Sequence, residues 1–536
     1  MKKWAPLAVL GLAQFLMVLD QAVMNVSISQ LVEDFDTSVS AIQGVITLYS
    51  LVMAMLMLTG GKLGDILGRR RTFAIGMVIY GTGSALTAAS WSVATLALGW
   101  SILEGIGAAL VLPALVALIA GNYRGRDRVT AYAVIGGVAG AGIAVGPIVG
   151  GWATTELSWR VVFVGEVVLV LVVLATTRFI VDIAAARKPK LDVVGSVLAA
   201  LGLGMIVFGF LQANTWGWID PKNSPMEPLG YSLTPFLIAG GLVVVWLFTR
   251  WEAHRVALRE DPLIRMQLLE IPRLRSGLAT FGAQNLILMG VFFTMPLYLQ
   301  LVVGLDAFET GLRMLPISIA MFVTSSLGGF FASRWAVRSV VRVGLVLMLV
   351  SILIMIQTIE PDLRGLPFSV AMAVLGVGVG LLASQLGNAV QSSVGDDDRS
   401  EAGGLQWTSQ QLGSALGVAV IGSIVLTGLA SGFVNAVVDD ERISDDVKTE
   451  LTTAAADGVD FVASSEVEIR LEDAGVDPAS SEIIVDAYEE AQLRALKAGL
   501  LGAALLALLA LLVTGNLPST VTRSDEPSVE DEQFTN

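Results

Sequence analysis

The chain has 536 residues, 54% of them hydrophobic and only 15% charged, with a formal net charge of −14. A soluble domain carries nearer a quarter charged residues, whereas here apolar runs of about 20 residues, enough to cross a hydrocarbon core, recur along the whole length. An ordinary soluble enzyme is excluded by that pattern, and the absence of cysteine excludes disulfides, thiolate nucleophiles and thiolate metal sites.

Backbone polar groups inside a bilayer must be satisfied internally, so spans are helices or strands of a closed barrel. Barrel strands show short alternating segments. The runs here are long, continuous and rich in Leu, Ala, Val and Gly, which predicts an all-α polytopic membrane protein. Fourteen spans are expected, at 5–30, 43–60, 73–91, 93–120, 131–154, 160–181, 193–213, 232–250, 276–302, 310–332, 343–359, 367–391, 405–430 and 496–515. The basic tip and apolar run of "MKKWAPLAVLGLAQFLMVLD" resemble a signal peptide, but the run is long and no small-residue cleavage site follows, so a retained first helix is expected. The single histidine, His254, stands among charges in "RWEAHRVALRE" and is expected in a solvated loop.

Positive charge orients the spans. With both termini in the cytoplasm, 24 of the 33 Lys and Arg residues fall on the inner side, most of them in "GKLGDILGRRR", "YRGRDR", "ARKPK", the stretch from "RWEAHRVALRE" to "IPRLR" and "SRWAVRSVVR". The expected location is the plasma (inner) membrane, multi-pass. The negative charge is local, since residues 431–495 hold 17 Asp and Glu against 4 Lys and Arg. That outer segment is too polar to span. "DPASSEIIVDAYEEAQLRALKAGLL" predicts a helix starting near Pro478 and running on into the last span, and "SDDVKTELTTAAADGV" predicts a second short helix. The acidity is read as that of a solvated spacer, or of a vestibule attracting cations. The tail after Pro518 is polar, acidic and expected to be disordered.

Two stretches break the apolar pattern in a structured way. In "GKLGDILGRRRTF", Gly61, Gly64, Asp65, Gly68, Arg69 and Arg70 place an acid four residues before a base, neighbours on one face if the turn is helical. Orientation accounts for the bases and leaves Asp65 unexplained. In "GIAVGPIVGG", Gly142, Gly146 and Gly150 recur every four residues, with Pro147 and Gly151 beside them. Small residues at that spacing let helix backbones approach closely, and the proline is expected to kink the helix.

These stretches resemble two signatures of the major facilitator superfamily: the loop motif G-x-L-x-D-x-x-G-R-[KR] between spans 2 and 3, and the antiporter motif G-x-x-x-G-P-x-x-G-G on span 5. "LDQAVMNVSI" on the first span is similar to the L-D-x-T-I-V-N-V-A motif of the fourteen-helix drug:proton antiporters, the EmrB/QacA type. The resemblance covers essentially the whole chain. It implies the major facilitator fold, two six-helix bundles plus two inserted helices. The corresponding divisions are 1–181, an inserted pair with linkers at 182–275, 276–515 with the acidic segment 431–495 inside it, and a tail at 516–536. The substrate site would lie near the bilayer midplane between the bundles. The resemblance also implies that Asp65 docks on the other bundle near the start of span 11 and latches one side shut, and that the glycine helix seals the seam between bundles. Ile66 replaces the base usual after the aspartate. Ser333 replaces an acid in the matching loop of the second half, so the latch is expected to be one-sided.

Acids inside spans are costly, about 2.5–3.5 kcal/mol at a helix centre, and so are functional candidates. Asp20, Glu104 and Glu166 qualify, the first two near the midplane and Glu166 in the outer part of span 6. "LGWSILEGIGAALVLP" resembles the family's R-x-x-Q-G-x-G-A-A, with Ser101 in place of the Arg and Glu104 in place of the Gln. "WRVVFVGEVV" resembles W-R-W-I-F-F-I-N-V-P, with Glu166 for the Asn and Val168 for the Pro. One buried base is lost and two buried acids are gained. Carboxylates without a basic partner are candidates to bind protons, or a cationic substrate as counter-ion. Asn25, Gln284, Asn285, Gln300, Asn388, Gln391 and Gln410, with Gln406, are candidates to line a cavity or to bond helix to helix.

No Walker A sequence is present, so ATP is not the expected direct fuel. The reading is a proton-coupled exporter of hydrophobic or cationic drug-like compounds by alternating access, with no cofactor, the proton gradient as energy source and a monomer as the working unit. A lipid, glycolipid or natural-product exporter on the same fold is the alternative, with altered or no proton coupling. A membrane-embedded enzyme or receptor is disfavoured, since there is no thiol, no embedded histidine and no H-E-x-x-H, and neither a metal nor a nucleic-acid partner is expected.

Overall fold

A computed structural model describes residues 2–37, 39–182, 190–395, 398–440, 442–443, 447–449, 461–474 and 476–519. Among them the only regular structure is helical. The long helices are α1 (Ala5–Val26), α2 (Val39–Leu67), α3 (Arg69–Ala88), α4 (Val93–Asn122), α5 (Gly125–Glu156), α6 (Trp159–Thr176) and α7 (Val193–Trp216) in the first part of the chain. They are followed by α8 (Leu233–Ala257), α9 (Pro272–Leu297), α10 (Ala307–Ser326), α11 (Val337–Thr358), α12 (Gly365–Gln391), α13 (Arg399–Asp439) and α14 (Pro478–Val513). Local chemistry sets many starts. Asp192 caps α7 through the Gly195 N–H, Ser92 and Thr95 form a capping box on α4, Asp306 and Glu309 form another on α10, and Asp477 caps α14 just before Pro478. Such caps satisfy N–H groups that the first helical turn leaves unpaired.

Among the described residues, twelve helices are long and apolar enough to cross a membrane, or thirteen if α10 and the short helix Gly328–Arg334, bent from it by 51°, count as one span. The remaining expected span, 73–91, is the helix α3, but its Gly, Ser and Thr residues and its Arg-rich first turn leave it less apolar than the others. The first span ends earlier than expected, because the chain breaks at Ser27 into a short helix, Ile28–Asp34. His254 is exposed in the last turn of α8 rather than in a loop. The helix expected from Pro478 is present as one continuous element running into the last span. Ser464–Asp473 is a further short helix of the acidic segment. Of the short helix expected in "SDDVKTELTTAAADGV" only residues 447–449 are described, and these are helical; the tail beyond 519 lies outside the described residues.

Two hydrophobic cores organise the molecule. One gathers buried side chains from Leu7 to Ile180, and the other from Leu268 to Leu517. The two halves touch along two seams, α2 against α13 and α5 against α10 and α12. The α7–α8 pair packs on itself where Gly202 and Gly241 bring the backbones together, and its α7 member leans on α2 and α13. A small core of Leu58, Ala199, Leu203, Phe248, Leu263 and Ile264 fixes it there. The pair therefore covers one seam of the two.

Candidate functional site: a buried carboxylate centre and a bonded seam

Three helices of the first half each carry one acid inward: α1 Asp20, α4 Glu104 and α6 Glu166. One carboxylate oxygen from each lies within 4.8 Å of the others, and all three side chains are buried. Sequence position separated Glu166 from the other two, whereas the bundle brings all three together. α3 supplies the polar lining. Gly83 and Gly99 make this possible, because a Cβ on Gly83 would stand 2.6 Å from Glu104 Cγ and 2.7 Å from the Gly99 carbonyl. Close backbone approach of α3 and α4 is what places Ser84 and Thr87 against the acids. Within α4, Ala97–Glu104 is π-helical, a widening often found at functional positions, and Glu104 ends it.

Each acid has one oxygen held. The Trp100 indole N–H donates to Asp20 Oδ1 at 2.8 Å, the Thr87 hydroxyl to Glu104 Oε1 at 3.3 Å, and the Ser84 hydroxyl to Glu166 Oε2 at 3.2 Å. The second oxygens, Asp20 Oδ2, Glu104 Oε2 and Glu166 Oε1, are buried without a hydrogen-bond partner, as are the hydroxyls of Tyr49 and Tyr80. Tyr49 stacks on Trp100 at 4.6 Å between ring centroids. Among the described residues no Lys or Arg forms an ion pair with any of the three. Ser101, at the position where a base is usual, donates to the Val45 carbonyl of α2 at 2.7 Å instead. The sequence reading missed Trp100, Tyr49, Tyr80, Ser84 and Thr87. Their signal was a Trp and two Tyr in mid-helix, where an indole or phenol needs a polar neighbour, rather than at an interface.

The loop motif sits at the basic end of the molecule. Gly68 joins α2 to α3 at φ 95°, a backbone conformation that glycine adopts freely, and the next residue but one, Arg70, donates its backbone N–H to Asp182 Oδ1 at 3.2 Å and its guanidinium to the Ile180 carbonyl at 3.3 Å. Gly61 and Gly64 lie in the last turns of α2. Asp65 is buried and pairs with Arg69 at 3.6 Å, within its own half. A described ion pair that crosses to the other half comes one turn earlier. Lys62 Nζ meets Glu401 Oε1 of α13 at 2.9 Å, with both side chains buried. The linker after α8 joins in: the Arg265 N–H donates to Glu401 Oε2 at 3.1 Å, and its guanidinium pairs with Asp398. Close by, Arg128 Nε donates to Asn388 Oδ1 at 2.9 Å and Ser325 Oγ to the Ala133 carbonyl at 2.7 Å. These cross-half bonds all lie towards the basic end.

The glycine helix α5 packs on α10 and α12 of the other half, but its motif glycines are turned elsewhere. Gly142, Gly146 and Gly150 face α1, not the other half. An added Cβ would meet Val18 at 3.0 Å, Ala22 at 2.3 Å and Val23 at 3.1 Å, respectively. The glycines that meet the other half come earlier in the same helix. Gly136 lies against Ser325, Gly137 against Phe322 and Gly140 against Met321 of α10. One helix thus presents small residues to two partners in succession. Pro147 and Gly151 lie within α5, and the Pro147 side chain is outside the described ones.

The cavity candidates divide. Gln284 and Gln391 are buried with amide atoms unpartnered, as is the nearby Gln406. Asn285 bonds back to the Phe281 carbonyl of its own helix, and Asn388 belongs to the seam through Arg128. Gln410 is half-buried on α13, and Gln300 is exposed at the π-helical end of α9, Tyr298–Val302. The Asn25 side chain lies outside the described ones.

A family model described as Major Facilitator Superfamily matches residues 10–418. The chain belongs to the major facilitator superfamily. This facilitator is 32% identical over 441 residues to a puromycin resistance protein of Streptomyces alboniger, covering 81% of this chain and 83% of that one. It is 30% identical over 463 residues to a probable actinorhodin transporter of Streptomyces coelicolor, covering 85% and 77%. A cephamycin export protein of Amycolatopsis lactamdurans is 30% identical over 427 residues, covering 78% and 84%. In structure, the facilitator is similar to a crystal structure of the human organic anion transporter MFSD10, with a TM-score of 0.56, 14% identity and 96% and 97% of the two chains covered. That likeness shows the fold. The protein is a multi-pass membrane transporter, not an enzyme.

Proposed function

We propose that this facilitator exports hydrophobic or cationic drug-like compounds in exchange for protons. The observation that carries the reading is the centre formed by Asp20, Glu104 and Glu166, three acids buried together with free oxygens and, among the described residues, no basic ion-pair partner. A buried carboxylate keeps its charge only with a partner, so such a centre takes up protons when none is offered. Relatives named for antibiotic resistance and export support a small-molecule cargo of that class. The resemblance to the fourteen-helix antiporters supports assigning α7 and α8 as an inserted pair, and it supports the cell membrane as location. We place the basic end and both termini in the cytoplasm, following the charge bias. In that orientation the cross-half bonds of Lys62, Arg265 and Arg128 close the inner side, and the conformation is the one that would release cargo outward. No bound cofactor is required, and a monomer suffices.

The test uses purified protein in liposomes with an imposed pH gradient and a lipophilic dye cation as cargo. Gradient-driven dye movement that Asp20→Asn and Glu104→Gln each abolish supports the reading. Full coupled transport in both variants overturns it. Dye movement indifferent to the gradient and blocked by added lipid would favour lipid export instead.

A further inference from the structure

Protonation leaves part of this centre unexplained. Five oxygens there lack hydrogen-bond partners: one from each of the three acids and the hydroxyls of Tyr49 and Tyr80. Both phenols are fully buried, and both lie within electrostatic reach of Asp20, Glu104 and Glu166. A proton shared between two carboxylates satisfies one pair of oxygens and leaves the others stranded. A metal cation draws several oxygens to itself at once.

The donor set and its dimensions narrow the choice of ion. The ligand atoms this group offers are carboxylate oxygens, and the chain has no cysteine and a single histidine, on α8, which suits a hard cation. A cation with oxygen ligands at about 2.3–2.6 Å spans ligand atoms up to about 5 Å apart. The three carboxylate oxygens fall within 4.8 Å of one another, so modest side-chain rotation closes them on such an ion. Mg²⁺, held at about 2.0–2.1 Å in a strict octahedron, fits less well. The hydrogen bonds from Trp100, Thr87 and Ser84 hold one oxygen of each acid and so restrain the three carboxylates in place.

We propose that Asp20, Glu104 and Glu166 form a binding site for a hard, oxygen-ligated metal cation of the size of Na⁺ or Ca²⁺, taken up in exchange for protons. The inference rests on reading these acids as the ion-handling centre, and it is independent of what cargo is exported. With a cation bound, one or two protons leave the acids and the charge of the site stays near balance. Tyr80, whose hydroxyl lies against Asp20, adds a neutral oxygen ligand.

The experiment uses full-length purified protein in weakly buffered choline chloride, with NaCl or CaCl₂ added at constant ionic strength. Released protons are followed with an indicator dye, and retained ion with radioactive Na⁺ or Ca²⁺. The expected result is saturable retention of one of the two ions together with proton release. Asp20→Asn, Glu104→Gln and Glu166→Gln each lower retention at least tenfold, while Asp34→Asn, an acid outside the site, leaves it unchanged. Comparing the two ions separates a monovalent from a divalent site. Absence of saturable retention of either ion by the folded wild-type protein overturns the inference, as does retention unaltered in all three site variants. If a neutral variant does not fold, retention and proton release by the wild type decide. Proton-driven dye export in Na⁺- and Ca²⁺-free liposomes is the separate readout: export without ion retention overturns this inference alone, and ion retention without export overturns the proposed function alone.

Discussion

The first half of the molecule buries three carboxylates with no base paired to them among the described residues, while the second half buries amides and hydroxyls. Among the described buried residues of α9 to α14, the one acid is Glu401, and it is paired with Lys62 across the seam. The two halves are built of similar helices around similar cores, so this difference is chemical, not architectural. An unpaired buried acid is unstable with respect to proton or cation uptake, whereas a buried glutamine is satisfied by any donor or acceptor that passes. We read the first half as the part that handles ions, and the second, with Gln284, Gln391 and Gln406 unpartnered, as supplying adaptable polar groups to cargo.

The largest expected effect breaks that division at its source. Glu104→Gln should reduce pH-driven export by more than tenfold while leaving the fold intact. It should raise the unfolding temperature, because a neutral amide relieves an acid crowded by two others. Gln391→Glu is the converse variant and should not restore coupling, since it places an acid outside the centre of Asp20, Glu104 and Glu166. An E104Q protein with normal gradient-driven transport would erase the proposed distinction between the halves.

Next in size is the seam. Lys62→Met leaves Glu401 buried with Arg265 as its described basic partner, and loss of one partner of a buried pair costs about 3–5 kcal/mol. The cost falls on the conformation closed at the basic end. Because the chain contains no cysteine, single cysteines at Leu67 and Gly395, both exposed, can carry spin labels. The expected outcome is a longer label-to-label distance in Lys62→Met than in the parent. An unchanged distance would mean that packing of α5 on α10 holds the seam by itself. The third effect concerns that packing. Gly146→Ala, pressing on Ala22 of α1, should destabilise by about 1–3 kcal/mol through overpacking, with the loss seen as a lower unfolding temperature.

The smallest effect lies at the far end, in Asp34. Burial pushes its carboxyl up, but hydrogen bonds from the Trp159 indole and the Arg160 guanidinium outweigh burial and hold it below the usual value of 3.8. A carboxyl depressed in the folded state contributes stability that is present above its unfolded value and is lost as pH falls through the folded one. Thermal unfolding from pH 6 down to pH 3 should therefore show Asp34→Asn losing its disadvantage of about 0.5–1 kcal/mol only below about pH 4. A disadvantage constant across that range would show the contact to be steric.

Much of this was written in the chain. Span-length apolar runs dictate helices, because an unpaired backbone group is intolerable in hydrocarbon. The course of α14 followed from Asp477, Pro478 and the apolar run beyond, since caps and helix period act locally. The three acids stood out singly for the same reason: charge amid twenty apolar residues is visible without a fold. Which residues meet was not visible. That Glu166 joins Asp20 and Glu104, that Lys62 meets Glu401 across the halves, and that Gly142, Gly146 and Gly150 face α1 all depend on how each helix is rotated about its axis. Rotation is settled by which neighbours fit, here by glycines that let α3 approach α4 and α5 approach α1. Sequence determined the elements and their inventory of charge, through interactions a few residues in range. Tertiary structure alone decided the company each charge keeps, because that depends on close packing between segments up to several hundred residues apart.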